Sequence, residues 1–433
     1  MKGIMITSPS SGQGKTTFTM GLCRLFKNKN YEISPFKTGP DFIDPKFHSF
    51  ASGRNSGNLD LHMQSEEGMK LALSLNKSEY AIIEGAMGYF DGIDNGFIGS
   101  SFDISNRLGI PALMIISPGA QMFSLIPKLI GMSDFSKGRI KGVILNKISS
   151  NYYKKIKVQI ERYTDLKVLG YIEDNPEFSI ESRHIGLLMP SEIEGLDKSL
   201  DKIANIIENN IDIKALMDLF EEIPTGDYLF KETGKRVLLA KDDAFCFHYN
   251  ENLRILEKVS DLNYFSPLKG DSIPEADLMI IGGGYPELYL EELSKNEIMK
   301  RSIRNFSESG AKILGMGAGL MYLSESIDGY EMVGALPGKA FMTEKTQRFG
   351  YNTIELLEDC ILGDKGTKMN AKEFHKSIFK TNLKPIFRVE KADGRTWSSG
   401  YNIRNTTVMY QHLNFAGDIR LGKILGMEED YVY

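Results

Sequence analysis

Residues 1–30 constrain the fold of this chain more than any other segment. A short apolar stretch, GIMIT, is followed by the loop SPSSGQGKTT and then by FTMGLCRLFKNKN, in which apolar residues recur at helical spacing. A strand, a glycine-containing loop ending in Lys-Thr, and a helix in direct succession are typical of a phosphate-binding loop. Such a loop lies at the carboxyl end of a parallel strand, so the segment predicts an open α/β sheet.

The loop residues also predict how a nucleotide is held. Backbone N–H groups and the helix N-terminus cradle a phosphate, Lys15 neutralises it, and the Thr16 hydroxyl contacts Mg²⁺. Pro9 replaces the first glycine of the pattern G-x-x-x-x-G-K-[ST], and the alternative is an ordinary glycine-rich turn. Because the strand and the helix lie where the motif requires them, we predict that ATP binds here with Mg²⁺. The residues predicted to bind the nucleotide are Ser11, Gly12, Gln13, Gly14, Lys15, Thr16 and Thr17.

Charged residues follow the ends of two further predicted strands. ISPFK leads into a loop that carries Lys37, Asp41 and Asp44, and AII is followed by Glu84, with Asp91 in a glycine-flanked turn beyond it. Since the carboxyl ends of parallel strands meet at one edge of a sheet, these loops are expected to face the phosphate loop. Glu84 stands where an acid can hold Mg²⁺. Asp41 and Asp44 either bind metal or substrate or form turns beside prolines, and their spacing leaves both interpretations open.

Buried strands continue to alternate with helical stretches along the chain. IPALMIIS at 110–117 and IKGVILNK at 140–147 extend the parallel sheet. The segment 223–234 is polar, contains Pro and Gly, and reads as a linker, after which RVLLA begins another α/β pattern. We therefore predict an α/β protein with a phosphate-loop domain at 1–222, a linker at 223–234, and a second α/β domain at 235–433.

Composition excludes several functional classes. A net charge of −5 disfavours a nucleic-acid-binding protein, since such proteins neutralise phosphates with Lys and Arg. The three cysteines form no CxxC pair, which disfavours a structural zinc site and a disulfide framework. The N-terminus lacks the apolar core of a signal peptide, and no apolar run reaches the length of a membrane span. The expected location is the cytoplasm, with no membrane partner.

The segment KILGMGAGLMYLSE at 312–325 predicts a sharp strand–turn–helix elbow. In α/β enzymes an elbow of this kind presents a nucleophilic Ser or Cys at its apex. Here the apex consists of Met316, Gly317 and Ala318, and none of these side chains can attack a substrate.

Several of these strings, in their order and spacing, resemble the cobyrinate a,c-diamide synthase family. The resemblance rests on SSGQGKTT, PFKTGPDFIDPKFH, NLD, IEGAMGYFDG and GVILNK, and it covers nearly the whole chain. This family amidates side-chain carboxylates of tetrapyrroles, and its ATPase domain is related to dethiobiotin synthetase. The resemblance also implies that the second domain is a class I glutamine amidotransferase-like domain.

The resemblance assigns roles to the charged residues of the first domain. Lys15 and Thr16 would bind phosphate and Mg²⁺, and Glu84 would complete the metal site. The other positions, which would line the site where a tetrapyrrole carboxylate meets ATP, are Lys37, Asp41, Asp44 and Asp91. Together with Lys15 and Glu84 they form the predicted catalytic set. Asn146, at the end of GVILN, is expected either to contact the adenine or to cap a helix.

The resemblance also explains the empty elbow. Gly317 occupies the position of the glutaminase Cys, the partner histidine corresponds to His412, and a second family histidine is Asn414 here. Gly283 and Gly284 match the oxyanion-hole region. A glycine cannot form a thioester, so glutaminase activity is predicted absent, with nitrogen from free ammonia or a separate glutaminase. A replacement thiol at Cys246 would require its loop to lean into the glutamine pocket.

Two other interpretations remain open. The ligase could act on a different metal tetrapyrrole such as Ni-sirohydrochlorin, or the chain could be a nucleotide-binding regulator or scaffold that has lost catalysis. The leading hypothesis is an ATP-dependent ligase that amidates a tetrapyrrole polycarboxylate through an acyl phosphate. A homodimer is possible on the resemblance alone.

Overall fold

A computed structural model describes residues 1–178, 190, 193–417 and 419–427. The chain divides into two compact units. The first contains Met1–Leu61 and Glu66–Asp227, and the second contains His62–Ser65 and Tyr228–Tyr433. The division after Asp227 lies inside the segment 223–234 that the sequence predicts as a linker. No described helix is both long and apolar enough to cross a membrane.

The first unit is built on an eight-stranded sheet in its described residues. Its strands are β1 (Lys2–Thr7), β2 (Ile33–Thr38), β3 (Gly57–Leu59), β4 (Tyr80–Glu84), β5 (Ala112–Ile116), β6 (Ile140–Asn146), β7 (Lys167–Ile172) and β8 (Glu221–Glu222). Seven of them run parallel in the order β3-β2-β4-β1-β5-β6-β7, and β8 pairs antiparallel with the start of β1. The central strands β1, β4 and β5 are buried at every residue except the first of β1 and of β4, because both faces of the sheet are covered.

Helices cover the two faces of this sheet. The helices are α1 (Lys15–Asn28), α2 (Asp44–Ser52), α3 (Leu61–Leu75), α4 (Ser101–Leu108), α5 (Leu125–Phe135), α6 (Ser150–Tyr163), α7 (Leu196–Asn210) and α8 (Ile213–Met217). One apolar core is shared with α1, α2, α7 and α8, and the other with α3 to α6. The backbone of α3 is non-helical at Ser65, where φ is 64°. Single 3₁₀ turns lie at Ile93–Asn95 and Pro176–Phe178.

The second unit contains a six-stranded sheet in the order β10-β9-β11-β12-β22-β21. These strands are β9 (Arg236–Ala240), β10 (Asp261–Phe265), β11 (Leu278–Ile281), β12 (Lys312–Met316), β21 (Tyr401–Ile403) and β22 (Thr406–Met409). Only the last pair, β21 with β22, is antiparallel. The helices of this unit are α9 (Asn250–Val259), α10 (Leu290–Lys295), α11 (Glu297–Glu308), α12 (Ala318–Leu323) and α13 (Leu421–Leu425), with a 3₁₀ turn at Pro286–Leu288. The prediction of two α/β units is confirmed.

Two smaller sheets complete the second unit, and nothing in the sequence pattern predicted them. One has the order β14-β13-β15-β18 and is formed by Ser326–Ile327 (β13), Tyr330–Glu331 (β14), Lys339–Met342 (β15) and Ser377–Lys380 (β18). The other has the order β17-β16-β19-β20 and is formed by Arg348–Leu356 (β16), Lys368–His375 (β17), Phe387–Glu390 (β19) and Thr396–Ser399 (β20). Every pairing in this second sheet is antiparallel, and it is called the four-stranded antiparallel sheet below.

Candidate functional site

The predicted phosphate loop connects β1 to α1 and is braced from two other strands. Gly14 begins the helix with φ of 93°, a left-handed conformation that favours glycine. The Asn146 side chain at the end of β6 donates to the Gln13 carbonyl at 2.9 Å, and the Gln13 side-chain oxygen accepts from the backbone N–H of Ser117 at 2.7 Å. A Cβ on Gly14 would stand 2.4 Å from Asn146 Nδ2, so only glycine fits against this brace.

Asn146 therefore contacts the loop backbone. The alternative role as a helix cap is not seen, because α6 is capped by the side chain of Ser149, which accepts from the N–H of Tyr152. Adenine contact by Asn146 stays a prediction, as do nucleotide contacts by Ser11, Gly12 and Thr17.

Lys15 is buried at the start of α1 and has oxygen partners on two sides. Its Nζ donates to Ser8 Oγ at 2.7 Å and to the Met87 carbonyl at 2.5 Å. Burial, together with the nearby charge of Lys37, lowers the pKa of Lys15 to about 8. Lys15 is therefore still mostly charged at neutral pH, and a bound phosphate would favour its charged form further.

Glu84 lies at the centre of a buried charged cluster at the end of β4. Its Oε1 accepts from Thr16 Oγ1 at 2.6 Å and from Lys37 Nζ at 2.9 Å. Lys37 also forms an ion pair with Asp44 at 2.6 Å. Burial favours the neutral carboxyl, but the charge of Lys37 and the bond from His48 outweigh it and hold the pKa of Glu84 well below its usual range.

The pKa values of the partners follow the same logic. Burial alone would lower the pKa of Lys37, yet the carboxylates of Glu84 and Asp44 raise it above its ordinary value. Burial raises the pKa of Asp44, against the opposing effect of Lys37. The cluster therefore holds a charged lysine and a charged Glu84 beside the phosphate loop.

His48 is a member of this cluster that sequence reasoning missed. It lies on α2, is fully buried, and its Nε2 is 2.6 Å from Glu84 Oε2. Its Nδ1 has no hydrogen-bond partner among the residues that the structure describes. The histidine follows Asp44 by one helical turn, so both face the same side of α2, and that spacing was the available signal.

Asp41 and Asp91 shape turns next to the cluster. Asp41 Oδ1 accepts from the N–H of Ile43 at 2.7 Å, which is the turn-forming role left open by the sequence. Asp91 Oδ2 accepts from the N–H of Gly88 at 2.9 Å. The charge of Asp41 acts on Lys37 and that of Asp91 acts on Lys15, so the structure brings the predicted set together.

The elbow in the second unit has the predicted strand–turn–helix form. Gly317 lies between β12 and α12 with φ of 57° and ψ of −112°, and its N–H donates to the Met409 carbonyl at 2.8 Å. A Cβ at this position would point at His412, 2.6 Å from Nε2, and would stand 3.4 Å from the Cα of Gly283. Any side chain at 317 would therefore face the histidine and the glycine loop together.

His412 is buried and uncharged. Burial, reinforced by the charge of Lys372, lowers the pKa of His412 to about 3. A Cβ on Gly283 would lie 2.4 Å from His412 Cε1, which places the imidazole directly against the glycine loop. Asn414 does not substitute for the second histidine, since its Nδ2 donates to Glu251 at 3.0 Å.

The loop that carries Cys246 does lie against the glycine loop. The N–H of Phe247 donates to the Gly283 carbonyl at 3.0 Å, and a Cβ on Gly284 would stand 1.9 Å from the Ala244 carbonyl oxygen. Cys246 itself is half-buried and forms no disulfide. The loop thus lies next to the glycine loop, and participation of the Cys246 thiol in chemistry stays a hypothesis.

The two units define a class of protein in which a phosphate-loop nucleotide-binding domain is joined to a glutamine amidotransferase domain. Residues 4–187 match the CobQ/CobB/MinD/ParA nucleotide binding domain, and residues 236–419 match the CobB/CobQ-like glutamine amidotransferase domain. The chain belongs to the cobyrinate a,c-diamide synthase family, which confirms the resemblance found in the sequence.

Three relatives illustrate the match along the full length. The chain is 39% identical to cobyrinate a,c-diamide synthase of Clostridium tetani, over 98% of this chain and 99% of the relative. It is 37% identical to that of Clostridium acetobutylicum, over 97% and 98%. It is 38% identical to that of Fusobacterium nucleatum subsp. nucleatum, over 97% and 99%.

Proposed function

We propose that this chain catalyses ATP-dependent amidation of side-chain carboxylates of cobyrinate, with ammonia that its own glutaminase elbow does not produce. The substrate is inferred from the names of the relatives. The observation that carries the chemistry is the buried Glu84, which joins Thr16 of the phosphate loop to Lys37. Contact among a phosphate-loop hydroxyl, an acid and a second cation supports this proposal, because phosphoryl transfer requires such groups together.

The reaction proceeds in two steps. A carboxylate oxygen of the substrate attacks the γ-phosphorus of ATP, the bond to the β–γ bridging oxygen breaks, and ADP leaves with that electron pair. Ammonia then attacks the acyl carbon, the bond from carbon to the phosphate oxygen breaks, and phosphate departs as nitrogen loses a proton. Lys15 and Lys37 supply the positive charge that allows two anions to meet. We assign to Asp44 and Asp91 the role of orienting ammonia or accepting its proton.

Mg²⁺ fits the oxygen donors at the loop. Thr16 Oγ1 and Glu84 Oε1 lie 2.6 Å apart, and hydroxyl and carboxylate oxygens are the ligands that Mg²⁺ prefers. In the part of the chain that the structure describes, no group of three or more His, Cys, Asp or Glu side chains is arranged to hold a metal. Mg²⁺ would therefore be shared with phosphate oxygens and water, and it would neutralise charge on the phosphates.

The nitrogen source follows from the elbow. Thioester formation needs a thiolate at the apex, and Gly317 has no side chain to provide one. The surrounding geometry is still that of an elbow facing His412 and Gly283. Ammonia is therefore taken free or from a separate glutaminase.

The test measures amide formation on cobyrinate with ammonium or glutamine as the sole nitrogen source. We expect ATP-dependent product with ammonium and none with glutamine, and no product from either in Lys15→Ala. Amidation with glutamine that disappears in Cys246→Ala would refute the nitrogen assignment and identify a replacement thiol. Turnover with Ni-sirohydrochlorin but not with cobyrinate would show that the ligase acts on a different tetrapyrrole. If neither compound stimulates ATP hydrolysis, the regulatory function would be favoured instead.

A further inference from the structure

A cavity of about 250 Å³ opens on the four-stranded antiparallel sheet of the second unit. Its lining includes Arg348 and Asn352 from β16, Lys391 beyond β19, and Trp397 from β20. Nothing in the elbow or the phosphate loop uses these side chains. The cavity therefore requires an explanation of its own.

Two buried polar groups in this cavity lack partners. Asn352 is only 2% exposed, and both its side-chain nitrogen and its side-chain oxygen have no hydrogen bond to any residue that the structure describes. The indole N–H of Trp397 is in the same state. Buried polar groups in folded proteins are nearly always satisfied, so unpaired groups lining a cavity indicate a position filled by a ligand or water.

The charge of the cavity is positive. Arg348 lies over the Trp397 ring, 4.8 Å from its centroid, and neither Arg348 nor Lys391 has a carboxylate within ion-pair distance among the described residues. Arg395 also lines the cavity, but its guanidinium is bound to Asp393. Two cations without a carboxylate partner, beside unpaired N–H donors, favour an anion.

The acid in the lining does not cancel this charge. Glu373 on β17 is buried, and each of its carboxylate oxygens already has a partner. His375 Nε2 lies 3.0 Å from Oε1, and Gln411 Nε2 donates to Oε2 at 2.8 Å. Because both of its oxygens are already bonded, the Glu373 carboxylate does not act as a counter-ion for Arg348 or Lys391.

An exposed apolar rim adjoins these cations. Phe349 lines the cavity and is 65% exposed, and it pairs across the strands with Phe374, which is 46% exposed. Their rings are 5.7 Å apart in an edge-to-face arrangement. A ligand that fits both features combines an apolar ring with acidic side chains, since aromatic residues left exposed beside a binding pocket supply contact area for such a ring.

We propose that this cavity of the second unit binds a carboxylate side chain of the macrocyclic substrate. This inference rests on the proposed function for the identity of the substrate. The carboxylate accepts from Asn352 Nδ2 and Trp397 Nε1 and pairs with Arg348 and Lys391, while the macrocycle rests on Phe349. The site is thereby a determinant of substrate affinity.

The test is equilibrium binding of cobyrinate to the full chain without ATP, so that no catalytic step is needed. The double variant Arg348→Gln/Lys391→Gln is expected to weaken binding by about tenfold or more, because each change removes a charged partner of the carboxylate. Arg388→Gln is the matched control. Arg388 is exposed on the same sheet and faces Glu390, so its loss should change affinity by less than about twofold.

Asn352→Leu gives a second, independent readout. A buried amide without partners destabilises the fold, so replacing it with an apolar side chain of similar size should keep or raise thermal stability while weakening cobyrinate binding. A residue with only a structural role would not separate these two effects. Loss of binding accompanied by unfolding would overturn the assignment for Asn352.

The outcomes separate this inference from the proposed function. Binding that depends on Arg348 and Lys391 in a protein that fails to amidate cobyrinate would refute the proposed function and support the cavity assignment. Normal amidation by the double variant, with an unchanged KM for cobyrinate, would overturn the cavity assignment and leave the ligase chemistry intact. Absence of any cobyrinate binding by the unaltered chain would overturn it as well.

Discussion

Gly317→Cys is the substitution that most sharply tests how the second unit works. The backbone at this position has φ of 57° and ψ of −112°, a conformation that residues other than glycine rarely adopt. Residues held in such regions cost on the order of 1–3 kcal/mol. The added Cβ would also stand 2.6 Å from His412 Nε2, so the imidazole must move before a thiol fits.

We expect Gly317→Cys to lower thermal stability and to introduce slow glutamine hydrolysis. The second unit has roughly 200 residues, for which 1 kcal/mol corresponds to about 2–4 °C, so Gly317→Cys should lower its melting temperature by about 2–12 °C. It should also introduce slow glutamine hydrolysis, because the thiol would face both His412 and the glycine loop. Turnover should be low, since burial that lowers the pKa of His412 to about 3 makes it a weak base for the thiol proton.

Gly317→Ala is the matched control. It brings the same backbone strain and the same contact with His412, but no thiol, so it should lower the melting temperature to a similar extent and produce no ammonia. The assays are calorimetric melting and release of ammonia from glutamine. An unchanged melting temperature in both variants would refute the claim that the backbone conformation at Gly317 disfavours other residues. Equal destabilisation without hydrolysis in Gly317→Cys would refute the claim that the pocket keeps a working geometry around its missing nucleophile.

Three further predictions concern the nucleotide site. Lys15 must be charged to hold phosphate, and its pKa is about 8. ATP affinity should therefore be constant below about pH 8 and fall by about tenfold per pH unit above it. The Lys15→Ala variant, measured across the same pH range, should lack that slope. Glu84→Gln should abolish ATP turnover. His48→Asn removes only a positioning contact to the Glu84 carboxylate and should reduce kcat by about 10–100-fold. Equal losses in the two variants would contradict the assignment of His48 as a positioning residue. Gly14→Ala should weaken ATP binding in direct titration, and adding Asn146→Ala should recover only part of the loss, since the steric contact would be relieved while the left-handed backbone would remain.

The parts of the fold that the sequence predicted are those carried by local patterns. The phosphate loop, the strand ends at Glu84 and Asn146, and the elbow at Gly317 each follow directly from an apolar strand and a turn. A parallel sheet then brings the strand ends to one edge without further information. The predicted charged set of the first unit accordingly lies together in the structure.

The parts that could not be predicted depend on contacts between distant segments. His48 is one polar residue on a partly buried helix, and only the folded chain shows that its imidazole meets Glu84. The brace from Asn146 to Gln13 joins residues more than a hundred positions apart. The four-stranded antiparallel sheet combines strands of four to nine residues with mixed burial, and their pairing is set by neighbours rather than by any one strand's pattern.

The contrast between the two sites has a physical basis. In the first unit, losing Glu84 would leave the buried cation of Lys37 with less compensation, and an uncompensated buried charge is strongly destabilising. At the elbow the balance is reversed, because glycine relieves the strain that a side chain suffers at positive φ. Glycine at 317 therefore stabilises the second unit, and under the proposed function it also excludes glutaminase chemistry at the elbow. If ammonia comes from elsewhere, as proposed, the elbow, His412 and the glycine loop can persist as a stable scaffold, whereas a loss of Glu84 in the nucleotide site would carry the cost of an uncompensated buried charge.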